Sequence, residues 1–159
     1  MVELDSLFKQ KRKVVDDYRK KALIVAFTYK HNELKSTRIG WASVDSASRF
    51  SEFLVNEHRF PWENVQMLTD VGVDRTGTQT ADEILDPLCS MIKEAKAEDI
   101  LLFVFCGHGG RVQEYTYNNS FGWMKCLVAG IRPDGKKTVI TGVVNSSDIA
   151  RFHSTCCRA

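Results

Sequence analysis

At 159 residues and 18.0 kDa the chain can bury one real core and is too short for two ordinary domains. A formal charge of +2, a pI near 8.3 and no basic cluster interleaved with aromatics argue against nucleic acid as a partner. No run approaches the length of a membrane span, Met1-Val-Glu-Leu-Asp5 lacks a signal peptide's basic start, and the cysteines at 89, 106, 126, 156 and 157 are irregularly spaced, so no membrane is expected and the thiols are expected reduced, in cytoplasm or nucleus.

Residues 3–20 read as an amphipathic helix, with Leu4, Leu7, Phe8, Val14, Val15 and Tyr18 as its stripe. Such a helix packs on the flank of a domain. From Lys21 to Tyr29 the pattern switches to a strand, and Tyr29 to Gly40 is polar and loop-like. Phe60-Pro-Trp-Glu63 leads into a second strand from Val65 to Asp70. An Asp at a strand end suits metal binding or phosphoryl transfer only beside further acidic residues; the first strand ends Phe27-Thr-Tyr29, so Asp70 reads as structural. Residues 72–79 form a loop without a phosphate-cradling pattern. Thr80-Ala-Asp-Glu83 is a capping box that opens a helix, with Ile84, Leu85, Leu88, Met91 and Ile92 on its buried side and Pro87 expected to kink or shorten it.

The stretch that organises the chain follows. Ile100 to Phe105 is an unbroken apolar run, the mark of a strand buried on both faces. It stops at Cys106-Gly-His-Gly-Gly110, and open α/β sheets place ligand and catalytic groups at such carboxyl ends. The other reading is a tight turn that happens to hold a histidine. Beyond it, Val112 to Val128 reads as a β-ribbon turning at Asn118-Asn-Ser120, Ala129 to Lys137 as a loop centred on Pro133-Asp-Gly135, Thr138 to Val144 as a strand, and Asn145 to Asp148 as a helix start.

Phe103-Val-Phe-Cys-Gly-His-Gly109 resembles the strand-end motif of the caspase and metacaspase cysteine peptidases, an apolar strand running into Ser-Gly-His-Gly. Lys21-Ala-Leu-Ile-Val-Ala-Phe27 looks like the family's first strand. Ala42-Ser-Val-Asp45, followed by Phe50, Phe53 and Leu54, looks like its first helix; Val65 to Asp70 resembles its second strand and Thr80 to Met91 the helix before the His strand. The likeness covers roughly residues 21–112. It implies an α/β, caspase-like three-layer fold with a mostly parallel central sheet flanked by helices, incomplete at its C-terminal side. Residues 1–20 are then an N-terminal helix and 21–159 the His-bearing part of the domain.

The resemblance also implies site residues. His108 is the general base, the N–H of Gly109 an oxyanion donor, and Asp45 part of the pocket for an Arg or Lys side chain. Without the resemblance, Asp45 is explained by the dipole of the helix it opens. The family's nucleophile ends the next buried strand, in a motif resembling Asp-x-Cys-His-Ser-Gly, and these residues hold no such motif. Cys156 and Cys157 lie about fifty residues after His108, the His-to-Cys separation of caspases. However, Ile149 to Thr155 has no apolar run to aim a thiol. Cys106 reads as a packing substitution for the family's small residue. His153 with Cys156 and Cys157 makes a weak zinc set, and no metal site is expected.

If the sheet follows the family's order, Ile100 to Phe105 lies mid-sheet beside the nucleophile strand, and without that strand its apolar edge is a pairing site. Two readings remain. One is a metacaspase-like endopeptidase part that cuts peptide or protein substrates after Arg or Lys and needs a continuation of the chain, or a second polypeptide, to complete the sheet. The other is a non-catalytic caspase-like module that binds a peptide or a partner peptidase. No cofactor is evident in the residues; calcium enters by the resemblance alone.

Overall fold

The computed structural model describes residues 19–30, 36, 38–71, 80–115, 121–134 and 137–145. The helix expected over 3–20, the loop at 72–79, the helix start after Asn145, and His153, Cys156 and Cys157 lie outside or largely outside these residues.

Three apolar runs form the parallel strands β1 (Lys20–Ala26), β2 (Val65–Thr69) and β3 (Ile100–Cys106), ordered β2-β1-β3. Ala22 is level with Val65 on one side and Leu102 on the other, so the three carboxyl ends emerge together. Helix α1 (Ala42–Asn56) joins β1 to β2, and α2 (Asp82–Lys93) joins β2 to β3. The chain steps outward to β2 and then back past β1, and the preference for right-handed crossovers puts the helices on opposite faces after such a reversal.

The strand period of two divides the core accordingly. Leu23, Val25 and Phe27 pack with Ile84, Leu88 and Met91 of α2. Ala22, Ile24 and Ala26 pack with Ala47 and Leu54 of α1 and with Phe60. This is the expected α/β arrangement, a parallel sheet flanked by helices.

The capping box closes as expected: Glu83 accepts the Thr80 N–H at 2.9 Å while the Glu83 N–H donates to Thr80 Oγ1 at 3.4 Å. The helix runs from Asp82 to Lys93 with Pro87 inside it. The buried Ile84, Leu88 and Met91 lie on both sides of the proline, and Glu83, whose carbonyl loses its usual donor, is exposed.

β3 is less buried than a strand covered on both faces, and it has the open edge expected where its neighbouring strand is missing. Ile100 is 44% exposed and Leu101 to Cys106 are only half-buried. The cause is position: among the described residues β3 is an edge strand, whose side chains have neighbours on one flank only.

The ribbon is a second, antiparallel sheet of β4 (Gly109–Tyr115), β5 (Phe121–Asp134) and β6 (Lys137–Asn145), in that order. The loop expected over Ala129 to Lys137 is corrected. β5 runs on to Asp134, with Pro133 opposite Thr138 and Asp134 opposite Lys137, and register shifts flank Gly130. The pairing of β5 with β6 continues to Asp134 and Lys137, and the proline sits within a strand whose register shifts at Gly130. Val128, Ala129 and Val144 close over Phe27 and Tyr29, joining the ribbon to the core on the α2 side.

Candidate active site

The site is built where the carboxyl ends of the parallel strands meet the start of the ribbon. His108 lies between β3 and β4, and Gly109 is the first residue of β4. The apolar register of β3 on β1 carries the chain to Cys106, whose carbonyl accepts the Phe27 N–H at 3.0 Å. Gly107 follows under a close neighbour. A β-carbon there would stand 2.7 Å from both the Phe105 ring and Tyr29 Oη, so the turn demands glycine for space.

Tyr29 fills that space, and pattern reading did not single it out for the site. The His108 N–H donates to Tyr29 Oη at 2.9 Å, and the hydroxyl donates to the Val128 carbonyl at 2.6 Å. The loop is closed from the other side by the Val128 N–H, which donates to the His108 carbonyl at 2.9 Å. The Tyr29 ring lies against the imidazole, centroids 4.7 Å apart and tilted by 33°. Burial, with a smaller contribution from the Asp70 charge, pushes the Tyr29 phenol up to about 12, against the opposing donation from the His108 amide. At neutral pH it is therefore a hydrogen-bond donor.

Asp70, just past β2, is structural as the sequence suggested, and its task is specific. Its buried carboxylate accepts the N–H groups of Thr28 and Tyr29 at 2.8 and 2.7 Å and the Thr28 hydroxyl at 3.1 Å. Tyr29 takes the left-handed φ of 52° there. Ionised-acceptor bonds to consecutive amides offset the cost of that backbone. The legible signal for Asp70 was an acidic residue ending a strand with no acidic partner beside it. For Tyr29, nothing in its spacing showed that it reaches residue 108.

Asp45 is exposed in the first turn of α1, its N–H donating to the Trp41 carbonyl at 2.9 Å. Ser43 of the same turn donates its hydroxyl to the Phe27 carbonyl at 2.9 Å. The amino end of α1 is thus pinned to the carboxyl end of β1, at the His108 end of the sheet. Exposed Trp41 and the Lys30 ammonium, 5.9 Å from its ring centroid, lie beside this turn.

Cys106 packs against the Ala22, Ile24 and Ala26 cluster on the α1 face, and burial raises its thiol pKa. Cys126 is buried opposite Gly110, and its thiol too is raised by burial, against a hydrogen bond from Gly110. Neither environment activates a thiolate. Among the described residues no three His, Cys, Asp or Glu side chains are grouped to hold a metal. No helix among them is long and apolar enough to cross a membrane.

The family described as metacaspase, peptidase C14 domain, matches residues 20–135. The chain belongs to that family of cysteine peptidases. It is 29% identical over 107 residues to Metacaspase-1 of Scheffersomyces stipitis, covering 66% of this chain and 25% of that protein. To Metacaspase-1 of Lodderomyces elongisporus it is 31% identical over 98 residues, 60% of this chain and 20% of the relative. To Metacaspase-1 of Schizosaccharomyces pombe it is 24% identical over 98 residues, 60% and 22% of the two chains. The aligned stretch thus spans a quarter or less of these curated relatives.

Proposed function

We propose that this chain is the His-bearing part of a metacaspase-type cysteine endopeptidase that cuts after Arg or Lys. The observation that carries the reading is the placement of His108 at the carboxyl end of β3, inside the region that matches the peptidase family. In the proposed cycle the His108 imidazole takes the proton of a cysteine thiol, and the thiolate attacks the substrate carbonyl carbon. The Gly109 N–H donates to the resulting oxyanion. The imidazolium returns its proton to the leaving amine as the C–N bond breaks, leaving an acyl-thioester. Water, deprotonated by the same imidazole, adds to the thioester carbon; the C–S bond breaks, the imidazolium returns its proton to the departing thiolate, and the acid is released. Asp45 pairs with the cationic side chain before the cut.

The nucleophile comes from a strand outside these 159 residues, laid along the outer edge of β3 by a continuation of the chain or by a second polypeptide. The half-buried side chains of that edge support this placement. The same edge supports a second reading, a non-catalytic caspase-like module that takes a peptide or a partner peptidase as its missing strand. Sequencing the source transcript past codon 159 separates the two. The peptidase reading expects a frame or splice form that runs into an apolar strand ending in Asp-x-Cys-His-Ser-Gly. A stop directly after Ala159 in every transcript, with no companion chain carrying that motif, would favour the module.

A further inference from the structure

Tyr29 is tied to His108 twice, through two different groups. Its hydroxyl accepts the His108 N–H at 2.9 Å and its ring lies 4.7 Å from the imidazole centroid. The same hydroxyl donates to Val128 at 2.6 Å, so backbone on both sides of the turn is referenced to one buried atom. A phenylalanine would fill the same core volume. A buried hydroxyl is costly unless both its bonds are made, and here both bonds go to the backbone around the histidine. The tyrosine is fixed in turn from behind. Asp70 captures the N–H groups of Thr28 and Tyr29, holding the backbone in the left-handed turn from which the ring reaches His108.

We infer that Tyr29 is a positioning residue for the His108 imidazole, and that the Asp70 carboxylate sets Tyr29. The inference rests on the reading of His108 as general base for its functional meaning, but not for its geometry. A base that must serve first a thiol and then a leaving amine tolerates little displacement, and a misplacement of about 1 Å costs on the order of a hundredfold in rate. The ring lies against the imidazole and restricts its rotation. The hydroxyl stops the Cys106–Gly107–His108 turn from sliding relative to the ribbon.

The test is side-chain NMR of the isotope-labelled chain, alone or with a Cys-bearing segment supplied, comparing wild type with Tyr29→Phe and Asp70→Asn. In wild type we expect one His108 χ1 rotamer, NOEs between the Tyr29 ring and the imidazole, and a protected His108 amide. In Tyr29→Phe the ring contact persists, but amide exchange at His108 quickens by about tenfold or more and the χ1 couplings average. Asp70→Asn loosens His108 in the same direction. An unchanged rotamer and exchange rate at His108 in Tyr29→Phe overturn the inference. If that variant fails to fold, wild type still decides: averaged χ1 couplings or absent Tyr29–His108 NOEs overturn it.

Activity separates this inference from the reading beneath it. In a preparation that cleaves peptides, Tyr29→Phe is expected to lower kcat by about tenfold to a hundredfold with KM within about twofold. Unchanged kcat overturns the positioning role and leaves the base intact. A loosened His108 in a fully completed chain that never cleaves supports positioning and removes the base.

Discussion

The Asp70 carboxylate accepts the Tyr29 N–H at 2.7 Å, and at that point Tyr29 holds a left-handed φ of 52°. The end of β2 thereby fixes the conformation of the residue on which the His108 turn rests. Replacing Asp70 with alanine leaves buried amides of Thr28 and Tyr29 without their acceptor. The expected cost is about 3 kcal/mol, against about 1–2 kcal/mol for Asp70→Asn, which keeps one acceptor oxygen. Urea unfolding of the two variants checks the order. Equal costs would mean that the retained oxygen contributes nothing and that the whole effect lies in the charge and the second oxygen.

Gly107 has no room for a side chain, since a β-carbon would sit 2.7 Å from Tyr29 Oη and from the Phe105 ring. Gly107→Ala is expected to lose about 1–3 kcal/mol through overpacking and to weaken the His108–Tyr29 bond. Denaturant unfolding measures the first, and the His108 amide shift the second. Alanine tolerated without change in either would place the turn differently.

The phenol of Tyr29 gives a pH signature. Burial pushes it up to about 12, whereas the unfolded side chain ionises near 10. The folded state keeps a proton that the unfolded state releases. The contribution is therefore full below about pH 10, declines as pH rises toward about 12, and is gone above that. The stability advantage of wild type over Tyr29→Phe should shrink across that window when both are unfolded in urea at a series of alkaline pH values. A difference that stays constant would show that the phenol is not held neutral by the fold.

Asp45 stands exposed at the amino end of α1. If it receives the cationic substrate side chain, Asp45→Asn raises KM for Arg and Lys peptides by about tenfold while costing less than about 1 kcal/mol of stability. Steady-state kinetics on an active preparation, with a neutral peptide as control, checks this. A stability loss without a change in KM would leave Asp45 a helix-dipole partner only.

Much of this architecture was legible because its causes are local. The β1 and β3 runs, the Thr80–Glu83 box and the glycine-flanked His108 each carry their own signal. The Pro133-Asp-Gly135 segment misled because the pairing of β5 with β6 overrides what a proline does in isolation. The exposed edge of β3 was legible only through the family resemblance, because apolarity records what a strand is suited to meet rather than what lies beside it. Tyr29 was missed for the same reason: its contact with His108 spans 79 positions and exists only once β1 and β3 are paired.

We propose above that His108 serves as the base of a thiol peptidase completed along β3. The direct measurement is cleavage of Arg- and Lys-containing peptides by the chain co-purified with a polypeptide carrying the strand that ends in Asp-x-Cys-His-Ser-Gly. Thiol-dependent cleavage is expected, abolished by alkylation and lowered by about a thousandfold or more in His108→Ala. Cleavage that survives His108→Ala, or a well-folded complex that cleaves nothing, would contradict it.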